Sequence, residues 1–273
     1  MLVLVLVLAV VLARVNVGRL PAAPPASLTA PSPPASIVRA RPRAPHVLLV
    51  HGFAGFSEIR LGRARAAYFR GVRERLDAMG IACTTARLPS VAPLAERAAA
   101  LESLIASLAD HDVHVIAHSM GGLDARRAVS ALGGGPVRSL VTIATPHRGT
   151  PLADLRHALP ARLSRRALHD LSRAALDGSR GDLADVPGVR YGSVIALPAR
   201  GAAGVHPLLR ASYLWLRAVA GENDGVVPAD SQAWGDVLQT IDADHWGAIG
   251  WSGSFDAPAF YAELASGCAG FIG

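Results

Sequence analysis

The chain has 273 residues, of which 51% are hydrophobic and 18% are charged, so it is long enough for one folded domain and too apolar to be disordered. Its formal charge is +6, but residues 1–45 contain five arginines and no acidic residue, and without them the remainder carries only +1. The domain is therefore close to neutral, and its charge gives no argument for a nucleic-acid partner.

The N-terminus predicts a targeting segment followed by a linker. Leu2–Ala13 is an unbroken apolar run with the length of a signal-peptide core, which is shorter than a membrane span. No basic residue precedes this run, and no Ala-x-Ala site follows it. Three alternatives therefore stay open for residues 1–20: a cleaved signal peptide, an uncleaved anchor, or neither of these. The first two alternatives predict an exported protein, periplasmic or secreted, or one attached to the membrane through residues 2–20. Residues 21–45 hold eight of the 19 prolines and predict an extended linker before a domain at 46–273.

From His46 onward the patterns of strands and helices alternate. Buried strands are predicted at His46–Val50, Ile81–Thr85, Val113–Ala117 and Leu140–Ala144. Apolar residues recur at helical spacing over Tyr68–Gly80, Leu94–Leu108 and Leu123–Leu132. This alternation predicts an α/β fold with a mostly parallel central sheet and helices on both faces.

The alternation stops after Pro151. Leucines spaced among arginines predict one or two amphipathic helices, and Pro151–Leu176 is a candidate lid within an insertion at 151–210. The alternative is a packed surface helix whose arginines extend into solvent. Strand-like composition returns at Val189–Ile195 and Tyr213–Ala220, and a last apolar helix is predicted over Ala257–Ala265.

Residues 117–121 read Ala-His-Ser-Met-Gly and predict a nucleophile elbow at Ser119. A predicted strand ends here, small residues follow the serine, and a helix begins, which is the strand–turn–helix arrangement that exposes a nucleophilic serine above a sheet. A serine in an ordinary helix N-terminal turn is the simpler alternative. Because partners for catalysis occur later in the chain, Ser119 is predicted to be the nucleophile of an α/β-hydrolase.

A serine nucleophile also needs two backbone N–H groups for the developing oxyanion. One is predicted to belong to Met120, directly after the nucleophile. The other is predicted at Phe53, in the glycine-containing loop at 51–55 after the first strand.

The base and the acid are expected after the serine in the order acid, then base. Of the later histidines, His147 comes too early, and His157 and His169 fall on arginine-rich helices; His206 also follows the serine. His245, in a late loop, is predicted to be the base. Asp224 is predicted to be the acid, with Glu222, Asp230, Asp242 and Asp244 as competitors whose simpler role is in turns.

Together these motifs resemble the bacterial triacylglycerol lipases of the α/β-hydrolase fold, the secreted "true lipases". The similar pieces are residues 51–56, 68–80, 117–122, 145–150, 188–191 and 223–225, which occur in the family's order and span most of 46–250. The resemblance implies ester hydrolysis, a lid over an apolar acyl cleft and, often, a dedicated folding chaperone.

The chain departs from this family at three points. The family binds a structural calcium through an Asp two residues after the catalytic histidine, but that position is Gly247 here, so no metal or other cofactor is predicted. Cys83 and Cys268 do not match the family's disulfide, and whether they pair is open. The segment between Pro151 and Gly221 is also short, which suggests a reduced lid or shorter acyl substrates.

The sequence thus predicts an ester hydrolase, a lipase or esterase, that acts on lipid or small ester substrates. Acyl transfer, thioester cleavage and polyester cleavage are alternatives, because they use the same triad. A non-catalytic member that binds lipid or a partner is a more distant alternative, since binding alone does not need a nucleophile, a base and an acid.

Overall fold

The structure, a computed structural model, describes residues 43–55, 58–61, 64–158, 165–178 and 182–270. The predicted targeting segment, residues 21–42 of the linker and the side chain of Cys268 lie outside the described residues. In the described ranges no helix is long and apolar enough to cross a membrane. Cys83 is a buried free thiol.

Eight strands and eight α-helices occur in the described parts of the chain. The strands are β1 (Ala44–Val50), β2 (Glu58–Leu61), β3 (Ala64–Ala67), β4 (Cys83–Thr85), β5 (His111–His118), β6 (Val137–Ile143), β7 (Arg190–Ala196) and β8 (Asp236–Ile241). The helices are α1 (Val72–Ala78), α2 (Leu94–Ser107), α3 (Met120–Ala131), α4 (Arg165–His169), α5 (Arg173–Gly178), α6 (Arg210–Ala220), α7 (Ala229–Gln232) and α8 (Ala257–Gly270). Short 3-10 helices lie at Pro151–Ala158, Gly201–Gly204, Pro207–Leu209 and Gly247–Ile249.

Six strands form one parallel sheet in the order β4-β1-β5-β6-β7-β8. The carboxyl ends of parallel strands meet at one edge of a sheet, and ligand sites of open α/β sheets form at that edge. The ends of β1, β5 and β8 are followed there by the loops that carry Phe53, Ser119 and His245. The antiparallel hairpin β2–β3 was not predicted.

The sheet is buried on both faces, as the apolar runs predict for parallel strands. Val47 and Leu49 of β1 pack on one side with residues of α1 and α8. Leu48 and Val50 pack on the other side with residues of α2 and α3. The central strands are thus held between two apolar layers, which makes the carboxyl edge a rigid support for the loops above it.

The predicted strand at Tyr213–Ala220 is wrong, because this segment belongs to helix α6. Tyr213 and Leu216 are buried, whereas Leu214 and Val219 are 57% and 54% exposed. The buried pair and Leu209 before it follow the i, i+4, i+7 spacing of a helix. The aromatic and branched residues suggested a strand, but the spacing of the buried positions decides the structure.

The predicted lid segment contains several short helical pieces in its described parts. Pro151–Ala158, α4 and α5 follow one another, and no strand occurs among the described residues between Pro151 and β7. Leu171 and Leu176 are buried in a cluster with Met120 and Leu123, and Phe53 packs against it. The leucines therefore cover the start of helix α3, and whether this cover opens stays a prediction.

Several buried histidines are held in the neutral form. Burial, assisted by the charge of Arg97, lowers the pKa of His51 to about 3. Burial also lowers the pKa values of His114, His118 and His147. In the unfolded chain each ring binds a proton near pH 6.5, so acidification favours unfolding.

We expect the melting temperature to fall as the pH is lowered from 7 to 5. The folded state leaves His51 unprotonated throughout this range while the unfolded chain protonates it, so this residue alone removes about 2 kcal/mol of stability. Burial raises the pKa of Asp124 to about 6, which opposes the trend, but this is one group against five histidines with lowered pKa values, the four named above and His46. Calorimetry at several pH values measures the effect, and an unchanged melting temperature between pH 7 and 5 would contradict it.

Candidate active site

Ser119 lies at a sharp turn between strand β5 and helix α3. Its backbone has a positive φ, with φ 56° and ψ −135°, a conformation that residues other than glycine rarely adopt. The turn is held from both sides, because the Ser119 N–H donates to the Ile143 carbonyl at 2.9 Å and Thr145 Oγ1 donates to the Ser119 carbonyl at 2.8 Å. The strained turn therefore lifts the hydroxyl above the sheet edge, as a nucleophile elbow does.

Glycines surround this turn because the backbones come close together. A Cβ at Gly121 would lie 2.6 Å from the Val50 carbonyl oxygen, and one at Gly52 would lie 2.7 Å from Ser119 Cβ. A Cβ at Gly122 would collide with the side chain of Thr145. The small residues seen in the sequence are thus required by contacts with backbone and with neighbouring side chains.

The structure brings Ser119, His245 and Asp224 into one hydrogen-bonded row. His245 Nε2 lies 3.0 Å from Ser119 Oγ, and His245 Nδ1 lies 2.7 Å from Asp224 Oδ2. Asp224 is fully buried, while His245 and Ser119 are 6% and 9% exposed. With its Nδ1–H donated to the carboxylate, the ring presents Nε2 to the serine hydroxyl as an acceptor. This arrangement is that of a nucleophile, a general base and an orienting acid.

The acid is fixed in position by its own loop. Asp224 Oδ1 accepts the N–H groups of Val226 and Val227 at 2.8 and 2.7 Å, which leaves Oδ2 for the histidine. The backbone N–H of His245 donates to the Asp224 carbonyl at 2.9 Å, so the base is attached to the acid through main chain and side chain alike. The buried amide of Asn223 shapes this turn by accepting the Gly225 N–H at 2.8 Å.

The predicted oxyanion donors are Phe53, in the loop after β1, and Met120, directly after Ser119. Met120 is the first residue of α3, so its N–H is at the positive end of a helix dipole. Phe53 follows Gly52, whose position against Ser119 is described above. Among the described residues, neither of these two N–H groups has a hydrogen-bond acceptor. Within the part of the chain that the structure describes, both N–H groups thus remain available to an oxyanion.

The competing residues have other surroundings. His147 is buried and bonded to Thr142 Oγ1 at 2.9 Å, and its ring stacks on Trp234. His206 caps a 3-10 helix, and His169 is exposed. Glu222 forms an exposed ion pair with Arg217, and the Asp230 carboxylate lies 3.7 Å from Arg173. Of the histidines and acids weighed from the sequence, the described structure places His245 and Asp224 at the serine.

Asp244 has a structural role beside the base. Its Oδ2 accepts the His206 N–H at 2.6 Å, and its Oδ1 accepts the Gly247 N–H at 2.6 Å and the hydroxyl of Ser252. Protein donors thus occupy both oxygens of this buried carboxylate, which ties the loop of His245 to two other segments.

This corner does not fit the calcium of the resembling lipases. The position of the expected ligand is Gly247, which has no side chain, and the nearby carboxylate of Asp244 is occupied by N–H and O–H donors. Calcium prefers six to eight oxygen ligands, and the described residues hold no group of three or more His, Cys, Asp or Glu side chains that could bind a metal ion. Hydrogen bonds of Asp244 hold the loop of His245 in the described structure.

Arg97, Asp124 and Tyr68 are buried around the site, and the sequence predicts no role there for any of them. Arg97 donates to Asp124 Oδ2 at 2.7 Å and to the His51 carbonyl at 2.8 Å, which joins helix α3 to the loop of Phe53. Tyr68 was interpreted as part of a helix, but it precedes α1 and its hydroxyl lies 2.8 Å from His118 Nδ1. No local pattern distinguishes these side chains from core residues, because their partners are distant in the chain.

A profile for a domain of unknown function, DUF7379, matches residues 18–166, more than half of the chain, and the chain belongs to this family. The chain is also 28% identical over 215 residues to triacylglycerol lipase 2 of Saccharomyces cerevisiae. That alignment covers 67% of this chain and 62% of the yeast protein, so the chain spans less than two thirds of its relative's length.

Solved structures of the same fold include lipases and esterases. A metagenomic carboxyl esterase has a TM-score of 0.69 at 23% identity, over 85% of this chain and 79% of its own. The mature lipase of Bacillus licheniformis has a TM-score of 0.66 at 20% identity, over 84% of this chain and 96% of its own. The predicted α/β-hydrolase fold and the predicted similarity to lipases are confirmed.

We expect EDTA to leave both the activity and the melting temperature unchanged, because Asp244 holds the loop of His245 without a metal ion. The measurement compares untreated protein, EDTA-treated protein and EDTA-treated protein with added Ca²⁺, with calorimetry as a readout that does not depend on the substrate. A fall in melting temperature with EDTA that Ca²⁺ reverses would contradict the expectation.

Proposed function

We propose that this protein hydrolyses carboxylic esters through an acyl-enzyme intermediate. The observation that carries the proposal is the buried row of Ser119, His245 and Asp224, with 3.0 and 2.7 Å between successive side chains. A strained serine at a helix N-terminus, a base within hydrogen-bond distance and a buried acid together meet the requirements of covalent acyl transfer. The similarity to lipases and esterases agrees with this chemistry.

In the first half of the reaction, Ser119 Oγ attacks the ester carbonyl while its proton passes to His245 Nε2. The carbonyl oxygen becomes an oxyanion that accepts the N–H groups of Phe53 and Met120. His245 then gives the proton to the alkoxy oxygen as the C–O bond breaks, and the alcohol leaves. Asp224 stabilises the histidine cation between these steps.

In the second half, water replaces the alcohol. The oxygen of the water attacks the acyl carbon while His245 takes a proton from the water. The bond between the acyl carbon and Ser119 Oγ then breaks as His245 returns the proton to Oγ. The products are a carboxylic acid and free enzyme. An alcohol that attacks instead of water would make the same machinery an acyltransferase, so an assay with added alcohol separates these activities by product.

The proposed substrates are lipid esters or smaller acyl esters. The leucines of the candidate lid pack on Met120 and Phe53, and an acyl chain that displaced these leucines would meet apolar side chains beside the serine. The name of the yeast relative points to triacylglycerol. From the sequence we further propose export or anchoring through residues 2–20, and assistance in folding from a dedicated chaperone.

We expect a fluorophosphonate probe to label the wild-type protein at Ser119 and to leave Ser119→Ala unlabelled, because phosphonylation requires the activated hydroxyl. p-Nitrophenyl esters from acetate to palmitate then give the acyl preference, with Ser119→Ala as the blank. The described apolar cluster predicts faster hydrolysis of esters longer than acetate. An unlabelled wild-type protein without esterase activity would overturn the proposed function.

We expect Asp224→Asn to lower kcat by a factor on the order of 10³–10⁴. Val226 and Val227 donate to Oδ1, so the new amide would present its NH₂ group to His245 Nδ1 and favour the wrong tautomer of the ring. The matched control is Asp242→Asn, because Asp242 is exposed and its Oδ1 accepts the Ala199 N–H, which an asparagine oxygen can also accept. A larger loss in the control would show that the acid has been assigned to the wrong residue.

A further inference from the structure

A chain of buried hydrogen bonds runs behind the candidate active site. The Gly52 N–H donates to the Tyr68 hydroxyl at 3.1 Å, and this hydroxyl lies 2.8 Å from His118 Nδ1. His118 Nε2 lies 3.1 Å from the backbone carbonyl oxygen of His245. The path therefore begins at the residue before Phe53, passes through the residue before Ser119, and ends on the base.

We propose that Tyr68 and His118 form a positioning relay that holds the base, His245, in register with the oxyanion loop. This inference rests on the proposed function. Gly52 packs directly against Ser119, and the rings of His118 and His245 lie 4.6 Å apart. The relay thus joins the two groups that must act together on one carbonyl, although neither of its own side chains contacts the reacting atoms in the described geometry.

The donor and the acceptor of each hydrogen bond in the relay follow from the groups at its two ends, a backbone N–H and a backbone carbonyl. A carbonyl oxygen only accepts, so His118 Nε2 must carry the proton that it donates to His245. The other ring nitrogen, Nδ1, is then an acceptor, and the Tyr68 hydroxyl donates to it. The tyrosine oxygen is left to accept the Gly52 N–H. One tautomer of His118 satisfies all three bonds.

The surroundings keep the relay neutral. Burial lowers the pKa of His118 well below its usual value, and the charge of His245 acts in the same direction. Burial also raises the pKa of Tyr68 above its usual value. The relay therefore holds the base by hydrogen bonds alone and places no second charge beside the imidazolium that forms during the reaction.

The test measures kcat per active site, with active sites counted by fluorophosphonate labelling, so that misfolded protein does not affect the result. We expect Tyr68→Phe to lower this kcat on the order of 10-fold or more with KM within about twofold, because a small displacement of the base has a large effect on rate. The matched control is Tyr261→Phe. Tyr261 is a fully buried tyrosine of the same apolar cluster, and its hydroxyl has no hydrogen-bond partner among the described residues.

Two substitutions of His118 separate positioning from packing. The glutamine amide of His118→Gln reaches the position of Nε2 and can still donate to His245, whereas the shorter amide of His118→Asn cannot. We expect both variants to lower the kcat per active site on the order of 10-fold or more, because His118→Gln loses the acceptor of the Tyr68 hydroxyl and His118→Asn loses the donor to His245. His114→Asn is the control, because His114 is also buried on β5 but bonds to Ser139. The relay would be overturned if the kcat per active site of His118→Gln, His118→Asn and Tyr68→Phe stayed close to that of His114→Asn and the wild type.

The tautomer gives a readout that does not need activity. A long-range ¹H–¹⁵N spectrum of the histidine rings at pH 7 should show His118 as the neutral Nε2–H form, assigned through loss of its signals in His118→Gln. An Nδ1–H form would overturn the relay even if the protein hydrolyses esters. A wild-type protein that is neither labelled nor active would instead overturn the proposed function, and the positioning role with it.

Discussion

The site depends on one constraint, the close approach of the backbone at the end of β1, at Ser119 and in the first turn of α3. Ser119 adopts its left-handed conformation at the end of β5, and the first turn of α3 lies against the end of β1, where Gly121 faces the carbonyls of Val50 and His51. Such strain costs on the order of 1–3 kcal/mol and persists only where the surrounding structure enforces it. Here the parallel register of β1 and β5, from Ala44 opposite His111 to Val50 opposite Ala117, enforces it.

This constraint also places the oxyanion donors. Because β1 and β5 are neighbours and both end at the same edge, the loop after β1 passes directly beside the serine. Arg97 reinforces that contact, since its buried guanidinium joins the His51 carbonyl to Asp124 of helix α3. A buried ion pair adds little net stability, because the desolvation of both charges offsets their attraction. Its contribution here is to fix one loop relative to one helix.

The fold and the site were predictable to the extent that their signals are local. The apolar runs of β1, β5 and β6 and the small residues after Ser119 each reflect a requirement met within a few residues of the chain. The chain order of acid and base then predicts Asp224 and His245, and the structure brings both to the serine. At Tyr213–Ala220 composition suggested a strand, but a helix forms because burial recurs at positions 209, 213 and 216. Tyr68 carries no local signal, since its partners Gly52 and His118 lie 16 and 50 residues away in sequence.

Besides its bonds to Asp224, the base is held by two further sets of contacts. On one side Asp244 ties the loop after His245 to the segments of His206 and Ser252. On the other, His118 binds the His245 carbonyl from within the sheet. Substitution of the expected calcium ligand by Gly247 therefore does not release the catalytic loop, because hydrogen bonds from the chain itself restrain it on both sides. The geometry of this loop also depends on the packing of β5 against β1, the same contact that strains the serine.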